Sequence, residues 1–133
     1  MKLLRVGPWG KEKVCALDNQ NKIRDLSSHV NDLNPGTLTL SNLTSWAKID
    51  LDKLPEINNN LRIGSCINKP SNILCIGLNY SLHAKQTGSK LPKYPIVFNK
   101  SPDCLQGPYD PIKKRKTQEK LDYEVELALV IGK

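Results

Sequence analysis

The strongest constraint on the fold is a set of apolar runs too short to be helices, with turn-forming residues between them. Ile73-Leu74-Cys75-Ile76, Ile96-Val97-Phe98 and the stretch 125–131 are each the length of a strand, joined by Gly- and Pro-rich connections. Upstream, Leu3-Leu4-Arg5-Val6 ends at Gly7-Pro8. Lys13-Val14-Cys15-Ala16-Leu17 and Lys22-Ile23-Arg24-Asp25-Leu26 flank Asp18-Asn19-Gln20-Asn21, which reads as a hairpin turn. Residues 28–60 are polar, broken at Pro35-Gly36, with room for one or two short helices. Ser41 is placed to cap a segment reaching Trp46, and Asp50 or Asp52 to begin another turn. Trp46 reads as a packing residue. The pattern predicts a mixed α+β, β-rich chain and not a regular βαβ repeat. The character changes after Asn58-Asn59-Asn60 and Asn68-Lys69-Pro70. This predicts a small β-rich N-terminal domain over 1–67 and the start of a larger β-rich domain over 68–133.

Composition removes several classes of function. With 38% hydrophobic and 25% charged residues, the chain resembles neither a disordered tail nor a membrane protein. No apolar run approaches the roughly 20 residues that span a bilayer. The opening Met-Lys-Leu-Leu-Arg-Val-Gly-Pro lacks the apolar core of a secretory signal, so a cytoplasmic protein is expected. Cys15, Cys66, Cys75 and Cys104 show no Cys-x-x-Cys spacing, and buried free thiols are expected rather than zinc or disulfides. A net charge of +7 raises the question of nucleic acid. The basic residues are dispersed, however, except for Lys113-Lys114-Arg115-Lys116, and no aromatics interleave with them. A solvated loop is the favoured reading, with neither nucleic acid nor membrane as partner. Basic charge remains able to gather an anionic substrate.

Three fragments carry chemistry. In Leu121-Asp122-Tyr123-Glu124-Val125-Glu126-Leu127-Ala128-Leu129-Val130, strand alternation would put Tyr123, Val125, Leu127 and Leu129 on a core face. Asp122, Glu124 and Glu126 would share the other. Carboxylates at i and i+2 sit about 6.5–7 Å apart at Cα, close enough to share one hard cation such as Mg2+, Mn2+ or Ca2+. Taken alone, a bare Glu-x-Glu is more often a solvated acidic face. In Gly77-Leu78-Asn79-Tyr80-Ser81-Leu82-His83-Ala84-Lys85-Gln86, a buried strand ends and a short helix begins. His83 and Gln86 then lie three positions apart on one side. His83 is either a general base near neutrality or a structural or surface histidine. In Pro95-Ile96-Val97-Phe98-Asn99-Lys100, Lys100 ends an apolar strand face, where it either snorkels to solvent or holds an anion.

In this order and spacing the fragments resemble the fumarylacetoacetate hydrolase family. Its pattern runs Gly-x-Asn-Tyr-x-x-His-x-x-Glu, then Pro-x-x-Phe-x-Lys, then Gly-Pro, then Asp-Tyr/Trp-Glu-x-Glu-Leu. Here these are Gly77 to Gln86, Pro95 to Lys100, Gly107-Pro108 and Asp122 to Leu127. The first 67 residues resemble the N-terminal domain of longer bacterial members, such as ureidoglycolate lyases, hydroxyheptadienedioate isomerases and diketo-acid hydrolases. The resemblance implies that 68–133 begins a catalytic β-roll. It also implies that Glu124 and Glu126 bind Mg2+ or Mn2+ with an aspartate from a later strand, and that His83 activates water. Tyr80 and Lys100 would face an anionic carboxylic-acid substrate. The metal would chelate a 2-oxo or 1,3-dicarbonyl acid and stabilise an enolate as a bond to carbon breaks. Full-length members are expected to be homodimers.

Two departures follow. Gln86 stands where the family has glutamate, and an amide can hold a histidine but cannot take its proton. The chain ends at Lys133, before the family's third metal ligand. It is therefore expected to be inactive alone, with a non-catalytic remnant or interaction fragment as the alternative.

Overall fold

The computed structural model describes residues 1–133. Strands outnumber helices, and the fold is mixed α and β. Contacts group the chain into two units, one made of 1–68 with 106–133 and the other of 69–105.

In the first unit, β1 (Lys2–Val6), β2 (Lys13–Leu17), β3 (Ile23–Asp25) and β4 (Glu56–Ile57) form one antiparallel sheet in the order β1-β2-β3-β4. Cys15 pairs with Leu4 on one side and Asp25 on the other. β2 is an inner strand with both edges paired, and side chains cover both of its faces. Val14 and Ala16 pack with Leu26, Val30, Leu33 and Trp46, while Cys15 packs on the opposite face with Val6 and Ile23. This accounts for an uninterrupted apolar run where a one-sided strand would alternate.

The β2–β3 turn is organised by Asp18. Its Oδ1 accepts from the Gln20 and Lys22 amides at 2.8 and 2.9 Å, and Oδ2 accepts from Arg24 Nε at 2.8 Å. Asn21 takes a left-handed φ of 58°, a conformation asparagine tolerates well. The helix α1 (Leu40–Trp46) buries Trp46 against the sheet. Thr39, and not Ser41, caps it: Thr39 Oγ1 accepts from the Asn42 amide at 3.1 Å, while Ser41 already lies in the first turn. Asp50 opens a single 3-10 turn, as expected, by accepting from the Asp52 amide.

The second unit holds β5 (Ile73–Gly77), α2 (Ser81–Gln86) and β6 (Ile96–Lys100). β5 and β6 pair antiparallel, with Cys75 opposite Phe98 and Gly77 opposite Ile96. Of α2, only Ala84 is buried.

Two expectations fail. Residues 122–133 form no strand, and Tyr123, Val125, Leu127 and Leu129 are 78–85% exposed rather than in a core. A strand needs a neighbour that takes its amides and carbonyls in register, and this stretch joins neither sheet, so alternation alone does not fold it. The thiols also divide: Cys15 is buried and Cys75 half-buried, but Cys66 and Cys104 are exposed. The basic run 113–116 is exposed, in keeping with a solvated loop.

Candidate functional site

The expected catalytic residues gather at the end of β5. Directly after Gly77 the backbone passes through Leu78 at φ 50°, a left-handed conformation rarely adopted by a bulky side chain. That turn swings the chain from strand to helix, and Tyr80 becomes the N-terminal flanking residue of α2 with its carbonyl accepting from the Ala84 amide at 3.1 Å. A strained turn of this kind persists where surrounding structure imposes it, and such turns concentrate at functional sites. Sequence reasoning located the turn but not the residue that carries the strain.

On α2, His83 and Gln86 are both exposed and three positions apart. The Thr87 amide and hydroxyl both donate to the His83 carbonyl, at 3.0 and 3.1 Å, closing the helix immediately behind the imidazole. Tyr80 is 45% exposed. Lys100 closes β6 opposite Ile73, on the face that carries Ile96 and Phe98. These four residues thus belong to the 69–105 unit. Glu124 and Glu126 lie in the exposed, irregular stretch of the 106–133 segment.

The fit to a divalent cation can be judged from the donors. Two carboxylates at i and i+2 supply the hard oxygens that Mg2+ or Mn2+ prefers. Three or more His, Cys, Asp or Glu side chains do not cluster anywhere as a metal-holding group. The pair therefore fits in kind but is short in number.

A connected charge cluster in the first unit was not anticipated. The Glu12 carboxylate lies between two guanidiniums, accepting from Arg62 Nη1 at 2.7 Å and Arg5 Nη2 at 3.3 Å. Arg5 Nε also donates to Asp32 Oδ1 at 2.7 Å, and Asn68 Nδ2 donates to Asp32 Oδ2 at 2.6 Å. Arg62 grips Asp110 through both oxygens and stacks over the Trp9 ring at 4.9 Å. Burial pushes the Glu12 carboxyl up, but the Arg62 hydrogen bond and the two positive charges outweigh it and hold the group below its ordinary range. Asp32 behaves likewise through Asn68 and Arg5, and Asp110 is held down first by its hydrogen bond from Arg62.

This cluster fixes the Gly107-Pro108 motif. Asp110 Oδ2 accepts from the Gly107 amide at 2.7 Å, and a Cβ on Gly107 would run into the Ile63 carbonyl oxygen. Only glycine fits there. The partners lie 48 and 50 residues apart, and nothing local in the sequence marks them as a set.

Residues 72–133 match the family profile described as Fumarylacetoacetate (FAA) hydrolase C-terminal. That segment belongs to the fumarylacetoacetate hydrolase family, as its motifs implied. Similar proteins include one named "Putative hydrolase" in Burkholderia ambifaria, 46% identical over 132 residues. Proteins given the same description in Burkholderia lata and Burkholderia multivorans are 45% and 44% identical over the same length. Each alignment takes in 99% of this chain and 47% of the relative. The chain thus spans about half the length of the curated relatives it matches. Their similarity extends through 1–67, which the family profile leaves uncovered. No helix is long and apolar enough to cross a membrane.

Proposed function

We propose that this chain contributes the first half of a metal-dependent hydrolase or lyase of the fumarylacetoacetate hydrolase family, acting in the cytoplasm on a 2-oxo or 1,3-dicarbonyl acid. The observation that carries the reading is the family match over 72–133, which includes every candidate site residue. On this reading, 68–133 begins a catalytic β-roll and 1–67 is an accessory β domain.

Within it, Glu124 and Glu126 would hold Mg2+, with Mn2+ or Ca2+ as substitutes. Bound there, such a cation would supply Lewis-acid chemistry toward a substrate carbonyl. His83, exposed on a short helix behind a strained turn, would take the proton from an attacking water. Gln86 can orient His83 by hydrogen bonding but cannot accept its proton, so water activation is weaker than with a carboxylate at that position. Lys100 and Tyr80 meet the anionic end of the substrate. Because no third ligand joins the two glutamates, the chain by itself is expected not to turn over. The full-length assembly is expected to be a homodimer.

A second reading, a non-catalytic interaction fragment, is favoured by Gln86 and by the short ligand set. The two separate in an assay of this chain co-expressed with the unmatched portion of a Burkholderia relative. Mg2+-dependent hydrolysis of an acylpyruvate or decarboxylation of oxaloacetate, lost in His83→Ala and Glu126→Ala, supports the enzyme. Metal-independent or absent turnover in a correctly assembled complex supports the fragment.

A further inference from the structure

The chain leaves the first unit after Asn68 and returns to it at Gln106, and both junctions are fastened by the same charged network. At the outgoing junction, the Asn68 amide donates to the Leu33 carbonyl at 2.7 Å and the Asn68 side chain to Asp32 Oδ2 at 2.6 Å. At the returning junction, Gly107 is held by Asp110, and Asp110 by Arg62. Arg5 and Glu12 lie between. Arg5 reaches Asp32 through Nε and Glu12 through Nη2, while the second Glu12 oxygen, Oε1, accepts from Arg62. An unbroken path of hydrogen bonds, each involving a charged group, therefore joins residue 68 to residue 107.

The physics of such a path is cooperative. The side chains of Arg5 and Glu12 are only 6% and 5% exposed, so loss of one link leaves a poorly solvated charge short of a partner. Bonds in a buried chain also polarise one another, so a break at one end weakens those beyond it. Holding residues 68 and 107 on one network closes the intervening segment into a loop, and that entropic cost is incurred only while both ends are held. We propose that the network is a clasp, a two-state element in which loosening of either junction loosens the other. Asp32 and Arg62 are its terminal links and Arg5 and Glu12 its bridge. The segment 69–105, which bears Tyr80, His83 and Lys100, is then tethered at both ends or at neither.

The clasp rests on no part of the catalytic reading, and its test needs no turnover. Amide exchange is followed in the full chain at Gly107 and Asn68, with the amides of β2 as the reference for global opening. Asn68→Ala breaks the outgoing tie without changing charge, and Asp32→Asn weakens it by a second route. Each should speed exchange at Gly107, the far junction, at least about fivefold relative to β2. Arg62→Lys should do the same to the Asn68 amide. In a Glu12→Gln background, where the bridge is cut, adding Asn68→Ala should leave Gly107 exchange where it was. Gly107 exchange that rises only in step with β2 in both outgoing variants overturns the proposal. So does an effect of Asn68→Ala on Gly107 that survives Glu12→Gln at full size, since the coupling would then run by another route. The two outgoing variants keep the test decisive whatever the stability of the Glu12→Gln background.

Discussion

Arg62 holds Asp110 by two parallel hydrogen bonds, Nε to Oδ1 at 2.8 Å and Nη2 to Oδ2 at 2.6 Å. The fork ties the Gly107-Pro108 turn to the segment after β4 within the first unit, and its geometry is specific to a guanidinium. Arg62→Lys should therefore lower the urea midpoint with an unchanged slope, and speed exchange of the Gly107 amide. Trp9 loses its stacking partner in the same variant, so its fluorescence should shift. An unaltered midpoint would show that the turn holds itself.

Glu12 is the centre of the charge cluster, and its replacement leaves two guanidiniums facing each other. Glu12→Gln should destabilise at neutral pH by roughly 2–4 kcal/mol. A carboxyl with a depressed folded pKa stabilises above its ordinary value and loses that contribution as pH falls through the folded value. For Glu12 the ordinary value is 4.5, and for Asp32 and Asp110 it is 3.8. Stability should then be flat near neutrality and fall below about pH 4.5. The gap between wild type and Glu12→Gln should close along that limb, as denaturant melts across pH would show.

Capping of α1 gives a sharper local contrast. Thr39→Ala removes the acceptor of the Asn42 amide and should cost about 1 kcal/mol. Ser41→Ala, at the position the sequence pattern favoured, should change stability by less than about 0.5 kcal/mol. Equal effects in chemical denaturation would reverse the assignment.

Much of this architecture is legible in sequence, and the failures have physical causes. Strands β1, β2, β3, β5 and β6 emerge from local apolar runs bounded by turn residues, and the Asp18 turn from its Asx chemistry. The cap slipped by two residues because Thr39 and Ser41 are both good cap formers, and only the backbone at Thr39, φ −112° and ψ 154°, decides between them. Residues 122–133 alternate as a strand does but remain irregular, since pairing is a long-range property. The Arg5–Glu12–Arg62–Asp110 cluster is equally long-range. At the candidate site, His83, Gln86 and Lys100 lie on the short helix and strand end expected of them, whereas the cap position of Tyr80 and the strained Leu78 left no local signature.

Cys15 supplies a chemical readout of the core. Burial, followed by the nearby Asp25 charge, pushes its thiol up to about 11. In native protein at pH 8, exposed Cys66 and Cys104 should be alkylated rapidly, and Cys15 only after unfolding. The folded thiol keeps its proton above the ordinary 9.0, so stability should decline as pH rises from 9 toward 11. Fast labelling of Cys15 in peptide maps of native protein would contradict the packing of β2.

The central claim is that Glu124 and Glu126 form part of a divalent-cation site. Calorimetric titration of Mg2+ into this chain assembled with the unaligned portion of a relative tests it directly, beside the same assembly carrying Glu126→Ala. Binding heats present in the wild type and lost in the variant are predicted; equal heats from the two would contradict the account.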